Sequence, residues 1–184
     1  IHYPGAGVGS PCLPINSYQL LNTARRAGVK LNIIESSRQI NERMPEHVIE
    51  LTLDAFKECN KTIQDNDILI LGISYKPDVK DIQLTPAKHI IEKLQKLGAN
   101  VHIYDPYFSS GQVFDINVEE NLDDIISKVD ASIIVTGHKE FKKIEPSFFN
   151  QMKGSILIDT RGIIDPEDAK KAKLIFRGLG RGKL

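Results

Sequence analysis

The feature that most constrains this chain is a set of short, continuous apolar runs: Asp67-Ile-Leu-Ile-Leu-Gly72, Asn100-Val-His-Ile-Tyr-Asp105, Ala131-Ser-Ile-Ile-Val-Thr136, Ser155-Ile-Leu-Ile-Asp159 and Leu174-Ile-Phe176. Runs of this length, bounded by polar residues or glycine, read as strands buried on both faces of a parallel sheet. Helical patterns lie between them. Thr85-Pro-Ala opens one with a capping threonine and a proline at its first position. It carries Ile90, Ile91, Leu94 and Leu97, and it stops at Gly98. Asn121–Val129, Pro146–Met152 and Asp165-Pro-Glu supply shorter ones. The expected fold is therefore α/β, a Rossmann-like parallel sheet with helices on both faces.

Ligands of such sheets bind beyond the carboxyl ends of the strands. Gly72-Ile-Ser-Tyr-Lys76, Tyr104-Asp-Pro106, Thr136-Gly-His138 and Asp159-Thr-Arg-Gly162 stand there and are expected to line one pocket.

The first sixty residues differ in character. Residues 1–12 form a Gly/Pro loop, and Leu20, Leu21 and Ala24 then recur at helical spacing until Gly28. From Leu31 to about Cys59 a second pattern runs near a 3.6-residue period, with Pro45 expected to kink or divide it. A continuous helix there would be about 40 Å long. Its apolar face exceeds what a small domain covers, so a homodimer through residues 31–60 is expected. The organisation expected is a loop and helical dimerisation region over 1–60 and the sheet domain over 61–184. The chain opens on Ile1 rather than methionine and is expected to continue something larger.

Charge excludes some partners. Lysine plus arginine and aspartate plus glutamate number 24 each, so nothing favours nucleic acid or an anionic membrane surface. No apolar stretch approaches the roughly 20 residues that span a bilayer. Two cysteines, Cys12 and Cys59, do not make a disulfide framework, and a reducing cytoplasmic setting is the simpler reading. Cys59 reads as helix-end packing. The five histidines, His2, His47, His89, His102 and His138, show no metal-ligand spacing.

Some residues carry candidate chemistry. Gly5, Gly7 and Gly9 alternate just before Cys12 and let backbone approach a ligand closely. No strand precedes them, so they are a poor dinucleotide fingerprint and a better substrate loop. Cys12 lies near a possible helix N-terminus, where a thiolate is favoured; the alternative is a half-buried structural cysteine. Lys76 and Arg161 each follow a strand and together suit an anionic ligand such as a phosphate. A solvated lysine and an exposed Arg–Asp pair are their plainer readings.

Taken together these segments resemble the UDP-glucose/GDP-mannose dehydrogenase family. Gly7-Val-Gly-Ser-Pro-Cys-Leu-Pro14 looks like its catalytic cysteine loop. Gly72-Ile-Ser-Tyr-Lys-Pro-Asp-Val-Lys-Asp81 with Thr85-Pro86 looks like its lysine-bearing substrate motif, and Val101–Pro106 and Asp159-Thr-Arg161 are similar to two further segments. The opening glycines, Asn41-Glu-Arg-Met-Pro45 and the Phe176–Gly182 tail look most like the branch acting on UDP-N-acetylmannosamine.

The resemblance implies a double oxidation of a sugar C6 alcohol with two NAD⁺. Cys12 captures the aldehyde and carries the acid as a thioester until water releases it. It implies that Gly5, Gly7, Gly9, Tyr75, Lys76 and Arg161 bind the UDP-sugar. It also implies that NAD is held mainly by a domain outside this chain, with Gln83 as a cofactor contact. Asn16 stands where the family usually has an aspartate assisting hydrolysis, Gln83 where it has an arginine, and Pro11 where a histidine often precedes the cysteine. The chain alone is therefore expected not to perform the oxidation, and a non-catalytic nucleotide-sugar-binding module is the rival reading.

Overall fold

A computed structural model describes residues 3–181. Two helices come first, α1 (Cys12–Arg26) and α2 (Asn32–Glu58). The α/β part follows as β1 (Asp67–Leu71), α3 (Pro86–Lys96), β2 (Asn100–Tyr104), a small hairpin β3 (Gln112–Val113) and β4 (Ile116–Asn117), α4 (Leu122–Ile126), β5 (Ala131–Ile134), β6 (Ile156–Asp159), α5 (Pro166–Lys171) and β7 (Ile175–Gly178). Short 3-10 turns at Phe141–Lys143 and Pro146–Gln151 bridge β5 and β6.

Five strands form one parallel sheet in the order β2-β1-β5-β6-β7. Strand alternation divides the core in two. Ile68 and Ile70 face Val48, Ile49 and Phe56 of α2 and Ile90, Ile91 and Leu94 of α3. Leu69 and Leu71 face Ile125 and Ile126 of α4, Phe141 and Phe149 of the two 3-10 turns, and Ala169 of α5. Covering on both faces is what the apolar runs predicted.

Thr85 caps α3 through its hydroxyl, which accepts from the Ala87 N–H, and Pro86 takes the first helical position. The helix expected over Asn121–Val129 is shorter, five residues capped by the Asn121 side chain. Of the kink or division expected at Pro45, the division does not occur: α2 runs unbroken for 27 residues. Proline removes only one donor, leaving the Asn41 carbonyl four residues earlier without its helical partner, and that carbonyl faces Gly7 of the glycine loop. Among the described residues no helix is long and apolar enough to cross a membrane.

Candidate functional site

Strand order reverses between β1 and β5, and the crevice at a reversal is where open α/β sheets hold ligands. Here β1 leads into Gly72–Asp78 and β5 into Thr136–His138. Beyond them lies a cavity of about 250 Å³ lined by Gly7, Gly9, Tyr75, Lys76 and Arg161 together with Tyr3, Val8, Ser10 and Pro77. A second cavity, of about 510 Å³, adjoins it. It shares Tyr3, Pro77 and Arg161 and adds Gly137, Lys142, Gly162 and Ile163. Three cationic side chains and no carboxylate line the two.

The fold brings together five of the predicted site residues, from the N-terminal loop and two strand ends. Gly7 sits at φ +130, a backbone that side-chain-bearing residues avoid. Gly9 is needed for closeness: a Cβ there would lie 2.5 Å from the Leu84 carbonyl oxygen and 2.9 Å from the Tyr75 Cβ. Gly5 packs beneath the Arg161 guanidinium. The loop is tied to α2, since Asn41 Oδ1 accepts the Val8 N–H at 2.7 Å and Asn41 Nδ2 donates to the Val8 carbonyl at 3.2 Å.

Arg161 is half-buried, and burial pulls its pKa below the ordinary guanidinium value while Asp159 pulls it back. Asp159 spends its oxygens on backbone: Oδ1 accepts from the Arg161 and Gly162 N–H groups and Oδ2 from that of Ile164. The exposed Arg–Asp pair considered for this residue is therefore not what forms. Neither Arg161 nor Lys76 pairs with a carboxylate among the described residues.

Cys12 is the first residue of α1 and is exposed. It does not line the cavity but follows its last loop residue, Ser10, by two positions. Asn16 lies one helical turn on, also exposed. Gln83 is exposed outside the cavity, and its carbonyl accepts the Ser10 N–H at 3.2 Å.

Two residues of the expected lining, Asp105 and His138, are placed elsewhere, while Gly137 between Thr136 and His138 lines the second cavity. Asp105 is buried beneath the crevice rather than in its wall. Its Oδ2 accepts from Ile73 N (2.8 Å), Ser74 N (3.2 Å), Ser74 Oγ (3.2 Å) and His138 Nε2 (3.1 Å), and its Oδ1 accepts from Tyr107 N (2.9 Å). Burial alone would raise its pKa, but the bonds from His138, Ile73 and Tyr107 hold it below the usual carboxylate value. His138, considered as a possible ligand contact, is fully buried beside it. A polar turn carrying a lysine needs its N–H groups satisfied from below, and these residues do that.

Sequence reasoning missed Tyr3 and Lys142; nothing in the local pattern of either marks it. Among the described residues no cluster of His, Cys, Asp or Glu is arranged to hold a metal ion; His2 and Gly182 lie outside them.

Residues 69–166 match the UDP binding domain, and residues 1–43 the central domain, of the UDP-glucose/GDP-mannose dehydrogenase family. A UDP-N-acetyl-D-mannosamine dehydrogenase of Pyrococcus horikoshii is 34% identical over 183 residues, 99% of this chain and 41% of that protein. A UDP-glucose 6-dehydrogenase of Bacillus subtilis is 30% identical over 182 residues, 96% of this chain and 39% of that protein. The solved structure of a UDP-D-ManNAc dehydrogenase from Pyrococcus horikoshii superposes with a TM-score of 0.86 over 100% of this chain and 41% of its own, at 34% identity. This chain thus spans about two fifths of the length of these relatives.

Proposed function

Because the chain belongs to the UDP-glucose/GDP-mannose dehydrogenase family, we propose that it is the UDP-sugar-binding and cysteine-bearing portion of an NAD-dependent UDP-sugar 6-dehydrogenase, with UDP-N-acetylmannosamine as substrate. The observation that carries this reading is the pair of adjoining cavities sharing Arg161, with Lys76 and Lys142 in their walls and no carboxylate. A nucleoside diphosphate sugar brings two phosphates. Arg161 meets such an anion as a planar fork and Lys76 as a point charge. Gly5, Gly7 and Gly9 let the loop lie against the sugar, and Tyr75 closes the side.

In this reading Cys12 is the nucleophile. Its sulfur adds to the C6 aldehyde, forming a C–S bond, and the carbonyl oxygen takes a proton to give a thiohemiacetal. Turning the thiohemiacetal into a thioester would remove a hydride from C6 and a proton from its hydroxyl, oxidising chemistry that NAD⁺ held by another part of the dehydrogenase would supply. Water would then release the acid and return the Cys12 thiol. Asn16, the neighbour of Cys12 on α1, has an amide that cannot act as a base, so water activation falls to another group.

The described residues do not form a dinucleotide cradle. The glycine loop lies on α2 rather than between a strand and a helix, and the turn after β1 is followed by irregular chain up to Thr85. No hydride step is assigned to them. NAD is bound, in this proposal, by the part of the dehydrogenase this chain does not span, with Gln83 at its edge. The same features favour a second reading, a nucleotide-sugar-binding module without catalysis.

Calorimetry with UDP and UDP-N-acetylmannosamine on wild type, Lys76→Ala and Arg161→Ala tests the site. Each substitution is expected to weaken binding about tenfold or more, and equal binding by all three removes the cavity from consideration. NADH production by the chain alone with UDP-N-acetylmannosamine would overturn the assignment of NAD to another part. Production by a dehydrogenase of the relatives' length carrying this chain decides for catalysis over the module.

A further inference from the structure

We propose that His138 is a positioning residue for the Lys76 loop, acting as a neutral imidazole with its proton on Nε2. The inference rests on reading the Lys76–Arg161 cavity as the anion site and goes one layer beneath it. The backbone N–H of Asp78 donates to His138 Nδ1 at 3.0 Å. A ring nitrogen that receives an N–H cannot carry a proton of its own. The other nitrogen, Nε2, lies 3.1 Å from Asp105 Oδ2, an acceptor, and is therefore the donor. The imidazolium is excluded by the same bond from Asp78. The Asp78 carboxylate, 3.8 Å from Nδ1, is instead engaged by the Lys139 N–H at 3.0 Å and the Tyr107 hydroxyl at 3.4 Å.

This places one hydrogen-bonded chain under both ends of the loop. Asp105 Oδ2 grips the entry at Ile73 and Ser74, and His138 passes the connection to the exit at Asp78. Asp78 holds φ +62, a left-handed conformation that needs anchoring in a residue with a side chain. Pro77 fixes the backbone between that anchor and Lys76, so the Asp78 bond sets where the Lys76 side chain departs. The ring has no freedom to drift: Tyr107 stacks on it at 5.0 Å, Phe141 meets its edge at 5.4 Å, and its side chain is wholly buried. A space-filling histidine would tolerate any side chain of that volume. A positioning histidine demands an acceptor at the Nδ1 position.

Three measurements on the full chain test this. A long-range proton–nitrogen spectrum is expected to show Nδ1 unprotonated and Nε2 protonated at neutral pH. His138→Asn keeps an acceptor near the Nδ1 position, whereas His138→Gln keeps only a donor toward Asp105. The glutamine variant is expected to expose the Asp78 amide to hydrogen exchange and weaken UDP binding about tenfold. The asparagine variant is expected to recover most of both. Unchanged Asp78 protection and UDP affinity in His138→Gln overturn the proposal. So does a protonated Nδ1 in the wild type, which decides the matter even if neither variant folds. Lys76→Ala binding UDP like the wild type overturns the site reading instead, leaving the tautomer and exchange results to stand on their own.

Discussion

Asn41 brackets Val8 with both ends of its amide, accepting the Val8 N–H at 2.7 Å and donating to the Val8 carbonyl at 3.2 Å. The side chain thus acts as a short strand partner for the glycine loop. It sits four residues before Pro45, where the helix carbonyl has no helical donor. Asn41→Ala is expected to cost about 1–3 kcal/mol, the price of leaving part-buried backbone groups unpaired. It should also weaken UDP binding severalfold by loosening Gly7 and Gly9. Asn41→Asp keeps the acceptor and should fall between. Chemical denaturation and calorimetry on the three proteins check the order; an alanine variant matching wild type in both removes Asn41 as the anchor.

Gly9 tests the loop from its other side. A Cβ there meets a backbone carbonyl, that of Leu84, at 2.5 Å, and main chain cannot swing away as a side-chain tip can. Gly9→Ala is expected to destabilise by about 1–3 kcal/mol through forced backbone shifts and to lower UDP affinity. Gly28→Ala is the control: nothing lies within 4 Å of its Cβ position, so its cost is confined to the strain of φ +74. If the two variants differ in neither UDP affinity nor cavity contacts, close packing at Gly9 is not what the site requires.

The contrast between Leu69 and Asp105 explains how far residue order alone could be read. Leu69 belongs to a run whose every residue is apolar, and its place in a two-faced sheet follows from that run. The lysine and arginine of the site stood at strand ends and could be found by the same logic. Asp105 also stood at a strand end, but whether such a carboxylate points to a ligand or beneath the turn depends on which backbone N–H groups lack partners. That is a property of three-dimensional packing. The β3–β4 hairpin was illegible for a different reason. Its two-residue turn is Phe114-Asp115, both at positive φ, without the Asn-Gly or Asp-Gly signature that marks such turns. Lys142 reaches the second cavity from a 3-10 turn whose sequence carries no motif.

Acid titration should reveal the buried Asp105 and the half-buried Asp67. For Asp105 and Asp67 burial opposes ionisation. Bonds from His138 and backbone to the one, and from His102 and Lys153 to the other, outweigh it and hold both pKa values low. A carboxyl with a lowered folded value adds stability that is fully present above its unfolded pKa of about 3.9. That stability is lost as pH falls through the folded value. Thermal melts are therefore expected to lose this contribution below about pH 4. Asp105→Asn should melt lower at neutral pH yet decline less steeply on acidification. Parallel declines in the two proteins would assign the acid sensitivity to other groups.

Self-association is the last expectation, and Ile33 and Ile40 carry it. They are 83% and 64% exposed, and seven residues apart they fall on one face of α2. Leu13, Ile15, Tyr18 and Leu20 are exposed on the adjoining α1. An apolar helical face of this kind is stable in water when a second copy covers it. Ultracentrifugation is expected to give the wild-type chain twice the monomer mass. Ile33→Glu with Ile40→Glu should give the single-chain mass. Because neither side chain contributes to the core, the folded monomer should lose no more than about 0.5 kcal/mol per substitution. A wild type that stays monomeric across concentration defeats the proposal. A double variant that still dimerises moves the interface off this face of α2.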